Sequence, residues 1–233
     1  MGFVMAGARW LLDLVFPKYC AGCGTEGSFC CAACRLRLIT RVPACPVCGR
    51  RNFTGILCDA CSERLPLRRF LAPFSYRDPL VRELIHAYKY RGARELSAFF
   101  ADELASFFSA YAIRPPGPAL LVPIPLHRSR ERERGFNQAR LLANDLGKRL
   151  GLPVADALRR MRANEPQVST DSFKKRYANV AGVFRVADQA AVAGRTAILI
   201  DDVSTSGATL GEAARVLRKA DCRTVWGAVI AKG

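Results

Sequence analysis

The residues best suited to chemistry lie in the segment 197–210. An apolar run at 197–200 is followed by two adjacent carboxylates, Asp201 and Asp202. A loop rich in hydroxyl groups comes next, and then a segment at 211–220 with helical character. The apolar run predicts a buried parallel strand. A strand that ends in such a loop before a helix N-terminus offers backbone N–H groups and a favourable helix dipole to an anion.

The two carboxylates indicate which kind of anion this would be. They would repel a simple phosphate, but they suit a ligand that carries hydroxyl groups and a metal ion beside its phosphate. A ribose 5-phosphate bearing pyrophosphate and Mg²⁺ has these groups. The alternative interpretation is an ordinary strand-to-helix turn in which Asp201 and Asp202 have no ligand.

Cysteine spacing forms a second chemical pattern, since nine of the ten cysteines precede position 62. Eight of them form C-x-x-C pairs, which are Cys20 with Cys23, Cys31 with Cys34, Cys45 with Cys48, and Cys58 with Cys61. Two such pairs supply the four thiolates of a tetrahedral zinc site. The spacing therefore predicts two structural zinc sites, with Gly24 and Gly49 permitting the tight turn after the first pair of each site.

Cys30 leaves the ligand set of the first site open, because it could replace Cys31. Cys31 is preferred since it keeps the two-residue gap to Cys34. A disulfide framework and an iron–sulfur cluster are the alternatives to zinc. Residues 1–17 lack the pattern of a secretory signal, which favours reduced thiols and a cytoplasmic location. Cys222 is predicted to lie in the core.

The elements that must position these groups follow from periodicity. Strands are predicted at 69–76, 120–122, 197–200 and 224–231, with a short one ending at 186. Helices are predicted at 4–16, 78–90, 94–111, 135–150 and 211–220. This alternation predicts an α/β fold with a parallel sheet. The 233 residues accommodate an N-terminal helix and double zinc ribbon at 1–65 and a larger domain at 66–233.

Charge and composition narrow the function classes. The net charge of +16 favours nucleic acid, an anionic membrane or phosphorylated ligands as partners. Because the charge is spread along the chain, solubility or an arginine-rich composition is the alternative explanation. No segment is long and apolar enough to span a membrane. Hydrolase triads, Walker loops and dinucleotide glycine fingerprints are absent from the sequence.

The segment 201–209, DDVSTSGAT, resembles the phosphoribosyl pyrophosphate (PRPP) loop of the type I phosphoribosyltransferases. The usual loop contains Thr-Thr-Gly where this chain has Thr205-Ser206-Gly207. Nearly the whole chain is similar to the ComF family, in which a double zinc ribbon precedes a phosphoribosyltransferase domain. The motifs that carry this resemblance are FP at 16–17, KYRG at 89–92, VPIPL at 122–126, RGFNQA at 134–139, then Gln167, Arg176 and Asn179.

The resemblance implies roles for these residues. Asp201 and Asp202 would hold the ribose hydroxyls and help place Mg²⁺. The 5′-phosphate would be bound by the loop, which comprises Val203, Ser204, Thr205, Ser206, Gly207, Ala208 and Thr209. A pyrophosphate loop would be formed by Pro123, Ile124 and Pro125. The basic segment 159–179 would close over PRPP, as a flexible loop does in amidophosphoribosyltransferases, with Arg176 in the catalytic set.

Two functional hypotheses follow from the resemblance and the charge. The first is a phosphoribosyltransferase acting on an unidentified acceptor, since no purine or pyrimidine pocket motif is recognisable. The second is a non-catalytic protein that binds single-stranded DNA during DNA uptake and natural transformation, with helicase and recombination partners. The arginine-rich run 128–134 and the neighbouring His127 suit phosphate in either case, or form a solvated helix face.

Overall fold

The computed structural model describes residues 17–162 and 180–233. In chain order, the helices are α1 (Ala32–Arg35), α2 (Asp59–Ser62), α3 (Pro79–Tyr90), α4 (Leu96–Ala110), α5 (Arg128–Arg134), α6 (Gln138–Leu150) and α7 (Ala208–Lys219). The strands are β1 (Arg69–Leu71), β2 (Phe74–Ser75), β3 (Ala119–Pro123), β4 (Leu158–Arg160), β5 (Phe184–Val186), β6 (Thr196–Ser204) and β7 (Thr224–Lys232). The predicted helix at 4–16 lies outside the described residues.

A parallel sheet forms the centre of the fold and confirms the predicted fold class. Its strand order is β1-β7-β6-β3, and β2 continues the β1 edge along β7. All of these pairings are parallel. The carboxyl ends of β6, β7, β3 and β2 therefore meet at one edge, where ligands of open α/β sheets bind.

Both faces of the sheet are buried. Successive side chains of its apolar strands point to opposite faces, and helices cover each face. On β6, Ile198 and Ile200 pack into one core with α3, α4 and α6. Ala197 and Leu199 pack into the other core with α7. The strand is thus held between two helical layers, which fixes the direction of the polar residues at its end.

Side-chain caps fix the residues at which α3 and α6 begin. The Asp78 carboxylate caps α3 by accepting hydrogen bonds from Leu80 N and Val81 N, at 2.9 and 3.2 Å. Asn137 caps α6 in the same way through Ala139 N. These side chains satisfy backbone donors that a helix leaves unpaired.

Several boundaries differ from the sequence predictions. Strand β6 runs on to Ser204, beyond the predicted end at 200, so both aspartates are strand residues and Asp201 is paired with Val229 of β7. Helix α7 begins at Ala208, three positions before the predicted start. The predicted strand at 69–76 is divided at Pro73, which has no N–H to donate. Residues 135–137 precede α6, because Gly135 ends the separate helix α5 with φ of 75°.

The antiparallel pair β4–β5 was not predicted as a unit and lies outside the main sheet. Its first strand overlaps the start of the segment 159–179 that the resemblance assigns to a mobile loop. Residues 163–179 of that segment lie outside the described part of the chain. At the start of the segment, Arg159 and Arg160 belong to a strand, and the loop function stays a prediction.

The N-terminal part is a duplicated unit whose two copies make the same hydrogen bonds. Cys20 N donates to Thr25 O at 2.8 Å, and Cys45 N donates to Arg50 O at 2.9 Å. The first ribbon packs on α4 through Arg35 Nε, which lies 2.7 Å from Glu103 Oε1.

The second ribbon enters the core beneath the sheet. Cys45, Cys61 and Leu65 are buried together with residues of α7 and β7. The domain boundary between 65 and 66 stays a prediction, and these contacts show that the second ribbon shares a core with the larger domain.

Candidate functional site

Eight thiols form two four-cysteine clusters, which are Cys20, Cys23, Cys31 and Cys34, and Cys45, Cys48, Cys58 and Cys61. Zn–S bonds of about 2.3 Å imply a sulfur–sulfur edge of about 3.8 Å in a tetrahedron. The Sγ atoms of Cys48 and Cys58 are 3.6 Å apart, and those of Cys45 and Cys58 are 3.8 Å apart. All ten cysteines are free thiols. The geometry thus fits two zinc ions and not a disulfide framework.

Cys31, and not Cys30, belongs to the first cluster. The Sγ atoms of Cys23 and Cys31 are 3.6 Å apart. Cys30 instead packs against the first core, and burial raises the pKa of its thiol to about 11. Cys222 lies in the second core as predicted, 6% exposed.

Backbone donors favour thiolates in both clusters. Although burial opposes ionisation, N–H groups of Cys31, Gly22 and Cys23 lower the pKa of Cys20 to about 6. Backbone N–H groups lower the pKa of Cys45 to about 6 in the same way. The turns depend on glycine, because Gly24 and Gly49 have φ of 75° and 74°. Thiolates are the form that binds zinc.

The two aspartates lie at the carboxyl end of β6, where the sheet places its ligand edge. Asp201 is paired with Val229 of β7, which fixes its position. Asp202 is 4% exposed and points toward the helices of the first layer. Consecutive strand residues face opposite sides, so the two carboxylates are directed differently.

Asp202 is held by two donors from different helices. Lys89 Nζ, near the end of α3, lies 2.6 Å from Asp202 Oδ1. Gln138 Nε2, at the start of α6, donates to Asp202 Oδ2 at 2.6 Å. Burial alone would lower the pKa of Lys89, but the charge of Asp202 outweighs it and raises that pKa. These two donors fix the orientation of the carboxylate, and the charge of Lys89 compensates its negative charge.

A further layer of contacts orients Gln138. Its side-chain Oε1 accepts from Arg134 Nη1, and its backbone oxygen accepts from Tyr88 Oη at 2.7 Å. Arg134 also lies over the Tyr90 ring, 5.1 Å from the centroid. From the sequence, KYRG and RGFNQA are recognisable only as family motifs. The structure shows what joins them, since one residue of each contacts Asp202.

Asp201 has a different environment. Desolvation and the neighbouring charge of Asp202 raise the pKa of its carboxyl to about 7, against the attraction of Lys89 and Arg160. Arg160, on β4, is close enough to interact with Asp201, while burial and Arg130 lower its own pKa. The site therefore combines Asp202, whose charge is compensated by Lys89, with Asp201, whose raised pKa favours protonation.

The loop after β6 forms the start of α7. Gly207 caps that helix in a left-handed conformation, with φ of 80°. Ser206 Oγ accepts a hydrogen bond from Ala208 N at 3.3 Å. Ser204 Oγ is buried and has no hydrogen-bond partner among the described residues. Buried polar atoms are normally paired, so this hydroxyl is available to a ligand or a water molecule.

The zinc ribbon supports this loop directly. A Cβ added to Gly207 would lie 3.2 Å from Leu65 Cδ2, and Leu65 is fully buried. The predicted loop Pro123, Ile124 and Pro125 lies beside β6, because Ile124 N donates to Ile200 O at 2.9 Å. Asn137 Nδ2 holds Ile124 O at 3.1 Å. Arg176, predicted as catalytic, lies outside the described residues.

A basic cavity adjoins the aspartates. It has a volume of about 400 Å³ and is lined by Lys89, Tyr90, Gly92, Arg130, Glu133 and Arg134. Lys89 links it to Asp202. His127 caps α5 by accepting from Ser129 N, and its contact with phosphate stays a prediction. Within the described chain, none of the helices has the length and apolarity to cross a bilayer.

Two family models match the chain. A double zinc ribbon domain matches residues 11–68. A phosphoribosyl transferase domain matches residues 136–233. The first match includes all eight clustered cysteines, and the second includes the aspartates and the loop that follows them.

Curated relatives cover most of the chain. It is 35% identical to "Competence protein ComFC" of Bacillus subtilis, over 80% of this chain and 77% of that protein. It is 31% identical to "DNA utilization protein YhgH" of Escherichia coli K12, over 80% and 83%. It is 28% identical to "Competence protein F" of Haemophilus influenzae, over 84% and 88%. With both domains present and this similarity along their length, the chain belongs to the ComF family.

Proposed function

We propose that the edge around Asp201 and Asp202 binds PRPP with Mg²⁺, and that the protein transfers the phosphoribosyl group to an acceptor. The observation that carries this proposal is the orientation of Asp202 by Lys89 and Gln138 directly before the Gly207-capped helix. A buried carboxylate held in this way is prepared to accept hydrogen bonds from ribose hydroxyl groups. The adjoining N–H groups and the unpaired Ser204 hydroxyl suit the 5′-phosphate.

The residues fit a magnesium ion as well as the sugar. Mg²⁺ prefers carboxylate oxygens and usually keeps water and substrate phosphates among its ligands. Asp201, which has no lysine ion-pair partner among the described residues, would hold it. When bound, the metal would neutralise charge on the pyrophosphate. This role requires the ionised form of Asp201, which the site makes less favourable until the cation is present.

The transfer itself is a substitution at C1′ of the ribose. A nitrogen nucleophile forms a bond to C1′, and the bond from C1′ to the pyrophosphate oxygen breaks with its electron pair. The nucleophile then loses a proton to water. Arg130 and Arg134 line the cavity beside Lys89 and supply positive charge for the departing pyrophosphate. Pro123, Ile124 and Pro125 would form the pyrophosphate loop, since Ile124 N donates to Ile200 O beside the aspartates.

The experiment is a calorimetric titration of the zinc-loaded protein with PRPP in the presence of Mg²⁺. We expect saturable binding that EDTA abolishes. The zinc content of the protein is measured after EDTA treatment, so that loss of Mg²⁺ is distinguished from loss of zinc. Asp201→Asn and Asp202→Asn should each lose it. Asp156→Asn, which changes an exposed carboxylate that pairs with Arg140, serves as the matched control. Binding that survives both site variants would refute the proposal.

A second candidate function is binding of single-stranded DNA without transfer. The names of the relatives, which concern competence and DNA utilization, favour it. The net charge of +16 supports it as well. Affinity for an oligothymidylate should then fall steeply as salt is raised, since phosphate contacts release counterions. Affinity that is insensitive to salt would exclude this function.

Zinc binding by free thiols also agrees with a cytoplasmic location.

A further inference from the structure

A second basic cleft lies on the carboxyl edge of the sheet, between the second zinc ribbon and β7. It has a volume of about 350 Å³, and its lining includes Arg41, Pro43, Phe70, Ser75, Arg77 and Lys232. None of residues 201–209 lines it. It is therefore a separate cavity, one strand away from the proposed PRPP loop.

Strand pairing fixes the position of Lys232, the central cation of the cleft. Lys232 ends β7 and is paired with Ser204 of β6 on one side and Ser75 of β2 on the other. Its Nζ donates to Thr205 O at 2.5 Å. Arg41 Nη1 approaches Lys232 O at 3.5 Å from the ribbon side. Three strands and the ribbon thus converge on this cleft.

Among residues 17–162 and 180–233, no Asp or Glu side chain pairs with Arg41, Arg77 or Lys232. Lys232 Nζ also donates to Gly233 O at 2.5 Å. Other partly buried cations in the same structure do have one. Lys89 is paired with Asp202, and Arg149 with Asp102. Burial and the charges of Arg41 and Arg77 lower the pKa of Lys232. The cleft therefore concentrates positive charge that no Asp or Glu side chain of the described residues compensates.

Such a cluster is complementary to phosphate. Arginine side chains bind two phosphate oxygens at once, and a partly desolvated lysine adds a third donor. Pro43 and Phe70 give the cleft apolar walls against which a sugar or base can pack. The cavity is larger than a single phosphate group requires, so it accommodates a phosphate together with part of a nucleoside.

We propose that this cleft is a second anion site, in which Arg41, Arg77 and Lys232 bind a phosphate group of a nucleotide. That phosphate belongs either to a free mononucleotide or to the backbone of single-stranded DNA. Occupancy would also influence the neighbouring loop, because Lys232 Nζ contacts Thr205 O and Gly233 N donates to Ser204 O at 3.0 Å.

The test compares two variants that each remove two positive charges. Arg41→Gln/Arg77→Gln changes the cleft. Arg218→Gln/Lys219→Gln changes the end of α7, at the opposite edge of the sheet, and serves as the matched control. The probes are 5′-AMP, followed by calorimetry, and a labelled oligothymidylate, followed by fluorescence anisotropy. Both titrations use the zinc-loaded full chain in buffer without Mg²⁺.

We expect the cleft variant to bind at least one probe about tenfold or more weakly, since hydrogen bonds to charged groups are lost. The control variant should remain near the wild-type affinity. For the oligonucleotide, two lost phosphate contacts should reduce the salt slope by about 1.4. Weakening of 5′-AMP alone identifies a mononucleotide site, and weakening of the oligothymidylate alone identifies a DNA backbone site. Equal affinities of the two variants for both probes would overturn the proposal.

A second variant guards against loss of folding. Ser75→Glu introduces a carboxylate at the cleft and leaves both arginines in place. It should weaken the same probe as Arg41→Gln/Arg77→Gln, with an unchanged thermal unfolding midpoint and zinc content. Asp202→Asn should leave this binding unaltered, so failure of the PRPP proposal and failure of the cleft proposal are distinguishable. Full binding by a folded Ser75→Glu protein would contradict the cleft assignment.

Discussion

The ammonium group of Lys89 lies 2.6 Å from Oδ1 of the buried Asp202 carboxylate. This pair connects the end of α3 to the end of β6, so it joins the helical layer to the edge of the sheet. The charges of such a pair are costly to bury singly. Its position at the candidate site gives Lys89 a structural role and an electrostatic one.

Lys89→Met should destabilise the protein by about 3–5 kcal/mol, because it leaves Asp202 buried without its counter-charge. The double variant Lys89→Met/Asp202→Asn should recover part of that loss. Urea unfolding of the wild type, both single variants and the double variant measures the coupling. Arg140→Met, which breaks an exposed pair with Asp156, should cost about 1 kcal/mol or less. Strictly additive losses at Lys89 and Asp202 would show that the pair contributes no coupling.

Gln138→Ala should weaken PRPP binding, because Asp202 Oδ2 then loses the donor that fixes its direction. A hydrogen bond to a charged group contributes about 1.5–3 kcal/mol, which corresponds to about tenfold or more in affinity. Calorimetric titration with PRPP and Mg²⁺ gives the value. Gln189→Ala is the control, since Gln189 Nε2 donates to the exposed Asp221 instead. A Gln138→Ala protein with wild-type affinity would remove Gln138 from the site.

The zinc clusters predict different results for two adjacent cysteines. Cys31→Ser should leave the protein with one tightly bound zinc ion, because it removes one of the four sulfur ligands. Cys30→Ser should retain both ions, since Cys30 packs against the first core. Elemental analysis after dialysis against a weak chelator measures the zinc content. Loss of zinc from Cys30→Ser with retention in Cys31→Ser would reverse the assignment.

Local spacing in the sequence made the zinc ligands and the central strand predictable. The C-x-x-C pairs and the strand before Asp201 are each contained in a short stretch, so periodicity and spacing identify them. The contacts of Lys89 and Gln138 with Asp202 depend on how distant segments pack, as does the entry of Leu65 into the second core. The short strand ending at 186 was predicted and is β5, but its partner β4 was missed because three residues are too few to show alternation.

Gly207 should be sensitive to substitution for two reasons that a matched control separates. Its φ of 80° costs an L-residue about 1–2 kcal/mol, and its Cβ would meet Leu65 at 3.2 Å. Gly194 has φ of 69° but nothing within 4 Å of an added Cβ. Both Gly207→Ala and Gly194→Ala should therefore lose stability in urea unfolding. Only Gly207→Ala should also weaken PRPP binding, because it displaces the loop from the ribbon that supports it. Equal PRPP affinities in the two variants would show that Leu65 does not position the loop.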